Sequence, residues 1–303
     1  MKHAAIRDVI EQASQIILGK HQVIELAICC LLSRGHLLIE DLPGVGKTTL
    51  AHLLGKLMGL EFQRIQFTSD LLPADILGVS VYERSNEGFH FHPGPIFAQL
   101  VLADEVNRAT PKTQSALLEA MEEQQVTADG KTHKLPKPFF VIATQNPATQ
   151  IGTFPLPESQ LDRFLMRLHL GYPDQASERA LLEGKERRDL LESLAAVISP
   201  QQLIELQQQA GQVYVAPASL DYCQAILEYS RQPALFKNGL SPRAGLALLN
   251  AAKSWALIQG RDAVIPDDLQ AVLPAVVNHR LVTRDDNNQL DAAAQILANV
   301  AIP

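Results

Sequence analysis

Residues 37–50 read LLIEDLPGVGKTTL, an apolar strand running into a glycine-bearing turn and then a helix. Gly44 and Gly46 have no Cβ, so the backbone there can take positive φ and turn its N–H groups toward phosphate oxygens. Lys47 sets a cation against the outer phosphates. Thr48 offers a hydroxyl to Mg2+ in the first turn of a helix whose N-terminal dipole favours an anion. Pro43, Gly44, Val45, Gly46, Lys47, Thr48 and Thr49 therefore form the expected cradle for the phosphates of a nucleotide. The full phosphate-loop pattern has a glycine five residues before Gly46, where this chain has Asp41. Aspartate tolerates left-handed backbone better than most residues, but its carboxylate is an electrostatic cost near phosphates unless it points away.

Working outward, a second chemical stretch follows. Residues 98–103 (AQLVLA) form a continuous apolar run that ends in Asp104-Glu105. Buried on both faces, such a run suits the centre of a parallel sheet, and ligands bind at the carboxyl ends of those strands. Asp104 is thus placed to hold Mg2+, and Glu105 to polarise the water that attacks the γ-phosphate. A third apolar strand, 139–143, ends in Thr144-Gln145-Asn146-Pro147. The Asn146 amide can both donate and accept without adding charge, which suits a group that positions the nucleophile beside Glu105.

Length and composition fit this reading. A chain of 303 residues can hold two domains, and 47% apolar with 19% charged residues is ordinary for a globular protein. The net charge of -7 gives no general attraction to nucleic-acid backbones, so protein partners are expected. Cys29, Cys30 and Cys223 have no zinc-ligand spacing and read as buried small hydrophobes of a reducing compartment. The N-terminus lacks a secretory apolar run, and no segment approaches the roughly 18 apolar residues of a membrane span. A cytoplasmic protein is expected.

Residues 5–33 show helical spacing broken at Leu18-Gly19-Lys20, predicting two helices and a turn. Ile17, Leu18 and Gly19 either line an adenine pocket or form a packed helix corner. A helix over 48–58 and a strand over 62–67 follow. Alternation on either side of Ser85-Asn86-Glu87 predicts a hairpin, and Asp129-Gly130 predicts a second. His90 and His92 share one face of the first hairpin, without a third metal ligand beside them. Thr110-Pro111 opens a helix with Leu117, Leu118 and Met121 inward. A last strand is expected over 164–170.

Arg163, before that strand, is a candidate to reach across a subunit interface and stabilise charge on the transferring phosphoryl group. Arg167 and Arg108 compete for the role, and an ion pair of Arg163 with Asp162 is the bland alternative. From Pro173 helices dominate, giving domains 1–173 and 174–303. Ser199-Pro200 opens one helix with Gly211 as its terminator, and Ser241-Pro242 opens another that ends at Gly260. Arg243 sits in the first turn of that helix against the dipole, so local stability does not explain it. A helical lid would place it on a phosphate.

Taken together, LLPADILG, GPIFAQLVLADEVNRA, PKTQSALLEAMEEQQVT, FFVIATQNP and GTFPLPESQLDRFL closely resemble the signature blocks of the MoxR family of AAA+ ATPases, and SPRA fits its lid. The resemblance implies an α/β fold: a P-loop AAA+ core with a five-stranded parallel sheet of order 5-1-4-3-2, and a C-terminal all-helical lid. It implies Asp104 and Glu105 as Walker B, Asn146 as sensor 1, Arg163 as the arginine finger and Arg243 as sensor 2. It also implies ATP hydrolysis with Mg2+ in a homo-oligomeric ring, commonly a hexamer. Its members are thought to be chaperone-like remodelers of protein complexes, often with partners bearing von Willebrand factor A domains. A DNA-remodelling motor and an ATP-binding scaffold with little turnover are the alternative readings.

Overall fold

Leu37, Leu38 and Ile39 have no solvent exposure, which is why Leu37–Glu40 forms the interior strand β1 of a five-stranded parallel sheet. The other strands are β2 (Phe62–Gln66), β3 (Leu100–Asp104), β4 (Phe140–Gln145) and β5 (Met166–Leu168). Across the sheet they run β5-β1-β4-β3-β2, all parallel. The computed structural model describes residues 2–84, 87–146, 152–183, 187–284 and 291–302. Ser85 and Asn86 of the first expected turn, and Pro147 after Asn146, lie outside the described residues.

Because successive strand residues point to opposite faces, the sheet divides the apolar residues between two cores. Leu37, Ile39, Leu100, Leu102, Phe140 and Ile142 face one core. Leu38, Val101, Ala103, Val141 and Ala143 face the other. The first face is covered by helices α1 (Lys2–Ile16), α2 (His21–Leu32) and α3 (Lys47–Leu57). Helix α4 (Pro73–Leu77) and helix α5 (Pro111–Glu123) contribute Ile76, Leu117, Leu118 and Met121 to the second. Thr110 caps α5 by accepting the Thr113 N–H, with Pro111 in the first turn as expected.

A short helix α6 (Glu158–Leu161) precedes β5, and helices α7 (Gln175–Glu183), α8 (Arg187–Ser193), α9 (Pro200–Gln212), α10 (Pro217–Ser230), α11 (Pro242–Ile258), α12 (Pro266–Val277) and α13 (Ala292–Asn299) follow it. Helix α2 packs on α9 and α11 as well as on β5, so the N-terminal helices join the sheet to the helical half through one continuous core. Two expectations need correction. Gly211 lies inside α9, which runs one residue further to Gln212. Strands also recur in the helical half, where Tyr214–Val215 pairs in parallel with Ala263–Val264.

Both hairpins are present. Gly78–Glu83 pairs with Gly88–Pro93, and Gln125–Ala128 with Lys131–Lys134. Phe91 of the first stacks on His133 of the second with ring centroids 4.0 Å apart, so the two form one projection. Tyr82 and Phe89 at its outer end are more than half exposed.

Where α5 ends against the start of β1, His36 is buried and its ring is held on both sides. Its Nδ1 accepts the Val141 N–H at 3.0 Å, and its Nε2 lies 3.3 Å from the Met121 carbonyl, which makes it a neutral Nε2–H donor. Burial pushes its pKa down to about 4. The unfolded ring protonates near 6.5 and the folded one only near 4, so its contribution is present above pH 6.5 and lost as pH falls through that window. We expect this residue alone to cost about 3 kcal/mol of stability at pH 4 relative to pH 7. Urea unfolding across pH 4–7 checks it, because His36→Gln should flatten that slope by about one proton.

Candidate active site

The parallel register brings three separated stretches to one end of the sheet. Glu40 of β1 pairs with Gln145 of β4, and Ala103 of β3 with Ala143 of β4. The phosphate loop, the Asp104-Glu105 pair and Asn146 therefore leave neighbouring strands side by side. In the loop, Gly44 has φ +87 and Gly46, the N-cap of α3, has φ +98. A Cβ at either would be strained by the backbone, while the space before it is open to 4 Å. Helix α3 begins at Lys47, one residue earlier than expected.

Lys47 is buried and its Nζ donates to the Asp41 carbonyl, to the Leu42 carbonyl at 3.3 Å and to Asn146 Oδ1 at 3.2 Å. Burial lowers its pKa, and the carboxylates of Asp41, Asp104 and Glu105 oppose that lowering. The departure at Asp41 has a structural explanation. Its Oδ1 accepts the Leu42 N–H at 2.9 Å, and its Oδ2 accepts the Gly171 N–H at 2.6 Å. The carboxylate is thus spent on tying the loop to the segment after β5.

The acids are held as tightly. Asp104 is buried, accepts from Thr144 Oγ1 at 2.6 Å and pairs with Arg64 of β2 at 2.6 Å. Glu105 takes left-handed backbone, φ 58 and ψ 47, an arrangement that costs a side-chain-bearing residue about 1–3 kcal/mol. The Thr144 hydroxyl supports it by accepting the Glu105 N–H at 2.8 Å. Asn146 Nδ2 donates to Glu105 Oε1 at 3.0 Å, while Gln66 (3.0 Å) and Arg108 (3.1 Å) donate to Oε2. Asn146 therefore bridges Lys47 and Glu105. Gln66, Arg64 and Thr144 escaped the sequence reading, although Gln66 and Thr144 stand at the carboxyl ends of parallel strands, the position that signals a site.

Thr48 and Asp104 supply hard oxygen donors next to Lys47, a donor set that fits Mg2+. Beside the loop, an apolar pocket of about 440 Å³ is lined by Ile17, Leu18, Pro43, Tyr172 and Leu182 among others. Leu18 reaches it. Gly19 is absent from that lining, and a Cβ added there would lie 2.6 Å from Asp174 and from Ser177.

The arginines are distributed differently from the expectation. Arg108 sits on Glu105 of its own chain, and Arg167 pairs with Glu40 at 3.1 Å and donates to the Asn278 carbonyl at 2.9 Å. Arg163 does not pair with Asp162, whose carboxylate is taken by Arg280 at 2.7 Å. Instead Arg163 and Arg243 both bind Glu122 near the end of α5, at 3.1 and 3.0 Å. They line a cleft with Gly35 and His36, which precede β1, so they stand at the end of the sheet away from the phosphate loop. Arg243 is on a carboxylate, not over the loop of its own chain. On the first hairpin His92 pairs with Glu83 at 3.2 Å, and among the described residues no group of three or more metal-ligating side chains occurs.

Known proteins resemble this chain along most of its length. A model of the ATPase family associated with various cellular activities (AAA) matches residues 36–166, and an AAA lid domain model matches 229–299. The uncharacterized protein YeaC of Bacillus subtilis is 46% identical over 92% of this chain and 88% of its own length. Chaperone MoxR1 of Mycobacterium tuberculosis is 41% identical over 96% of this chain and 81% of its own. The crystal structure of a Cytophaga hutchinsonii protein superposes with a TM-score of 0.90 at 34% identity, covering 100% of this chain and 96% of that one.

Proposed function

This chain belongs to the MoxR family of AAA+ ATPases, and from that premise we propose a Mg2+-dependent, ring-forming ATP hydrolase that acts as a chaperone-like remodeler in the maturation or assembly of protein complexes. The observation that carries the proposal is the single network Lys47–Asn146–Glu105, drawn from three segments more than forty residues apart in sequence. The phosphate loop binds the triphosphate through its N–H groups and Lys47. Thr48 and Asp104 would hold Mg2+, which would supply positive charge to offset that of the phosphates. Glu105, oriented by Asn146, Gln66 and Arg108, accepts the proton of the attacking water. The pocket of Ile17, Leu18 and Tyr172 receives the adenine ring.

Arg163 and Arg243 complete the site of the adjacent subunit, since their own chain presents them away from its own loop. The domain division at 173–174 belongs to the same reading, with the helical half moving as a lid. The paired hairpins, with Tyr82 and Phe89 exposed, support contact with a protein client, for which a von Willebrand factor A domain protein is the family expectation. No helix among the described residues is long and apolar enough to cross a membrane, in keeping with a proposed cytoplasmic site of action. The commitment of the Asp41 carboxylate to backbone N–H groups removes one of the two motives for the scaffold reading, the other being the phosphate loop itself.

Chelation of Mg2+ should abolish turnover. Mixing Arg163→Ala with Glu105→Gln subunits tests the shared site: the two variants, each inactive alone, should recover part of the activity together. Rings that assemble from the mixture and stay inactive would remove the shared-site assignment.

A further inference from the structure

Glu122 holds two guanidinium groups that come from different parts of the chain. Its Oε2 meets Arg163, on the segment between α6 and β5, and its Oε1 meets Arg243, in the first turn of α11. Each arginine takes a separate oxygen, so one carboxylate gathers both cations within reach of a single anion. The neighbouring acid cannot share the load. Asp162 is occupied by Arg280, which also donates to the Leu165 and Phe164 carbonyls and fixes the backbone on both sides of Arg163. The cleft of about 330 Å³ around this cluster carries Arg34, Arg163, Arg243 and Arg280 against Glu122 and Asp162. It therefore keeps an excess of positive charge even with both acids paired.

The pairs are exposed enough to break easily. Side-chain exposure is 30% for Arg163, 58% for Arg243 and 34% for Glu122, and ion pairs in such positions are weak. A triphosphate brings more charge and more acceptor oxygens than one carboxylate, and arginine binds it through the same fork of donors. We infer that Glu122 is a positioning residue that stands in for the neighbouring subunit's phosphates, holding Arg163 and Arg243 side by side until a nucleotide-loaded neighbour displaces it. The inference rests on the shared-site reading above. Glu122 then works against assembly, since each new interface must first take both arginines from it.

Sedimentation velocity over a range of protein concentrations, in a Glu105→Gln background that keeps ATP and Mg2+ bound, tests this. Adding Glu122→Gln should lower the protein concentration of half-maximal association about two- to fivefold, with ATP present and not without it. The shift should vanish when Arg163→Ala and Arg243→Ala are also present. An unchanged or raised midpoint for Glu122→Gln, while Arg163→Ala alone weakens ATP-dependent association, overturns the inference and leaves the shared site standing. If Arg163→Ala does not alter that association, the shared-site reading itself fails.

Discussion

Arg163→Ala is expected to lower ATP turnover of the assembled protein by about 10³- to 10⁵-fold, the range for a cation supplied across an interface to a transferring phosphoryl group. The fold should survive. Within its own chain the Arg163 side chain pairs with Glu122, and a part-exposed pair of this kind contributes about 0–1 kcal/mol. The segment that carries it is held independently by Arg280 and by the Leu165 N–H, which donates to the His36 carbonyl. Turnover measured at protein concentrations where the ring persists separates catalysis from assembly. Arg167 is the instructive comparison, because its guanidinium is engaged by Glu40 and by the Asn278 carbonyl between β5 and α12. A loss for Arg163→Ala smaller than tenfold, in intact rings, would exclude a role on the phosphoryl group.

Glu105→Gln is expected to reduce turnover by about 10²- to 10⁴-fold while leaving ATP bound, the contribution of a positioned general base. The exchange removes the charge and keeps the shape. Glutamine can still accept from Asn146 on one side, but its amide nitrogen cannot accept the donors that Gln66 and Arg108 present on the other. The local backbone should hold, since the left-handed turn at residue 105 is anchored through the main-chain N–H on the Thr144 hydroxyl. A binding isotherm close to that of the unaltered chain, alongside near-complete loss of phosphate release, is the expected pair of results. Retained turnover would move the base to another residue.

The phosphate loop was legible because glycines at two positions, a lysine and a hydroxyl leave few other uses for such a turn, and both glycines do take positive φ. The burial of β3 followed from an unbroken apolar run. Arg243 was harder. Its place against the helix dipole announced that something outside α11 needed it, but the sequence could not say which anion, and the fold supplies Glu122. Asp41 looked like an obstacle to phosphate for the same reason, since the Gly171 N–H that it serves is 130 residues away in sequence. Gln66 and Arg64 gave no signal beyond their places on a short strand.

By itself the sequence determined the chemistry of the phosphate loop, the two acids and the alternation that assigns each strand residue to one of two cores, because these depend on residue type and short-range spacing. Which carboxylate meets which guanidinium was decided only in the tertiary structure. Such pairings act over a few ångströms between segments that topology brings together, and the order β5-β1-β4-β3-β2 with α5 lying back across the sheet is what sets Glu122 beside Arg163 and Arg243.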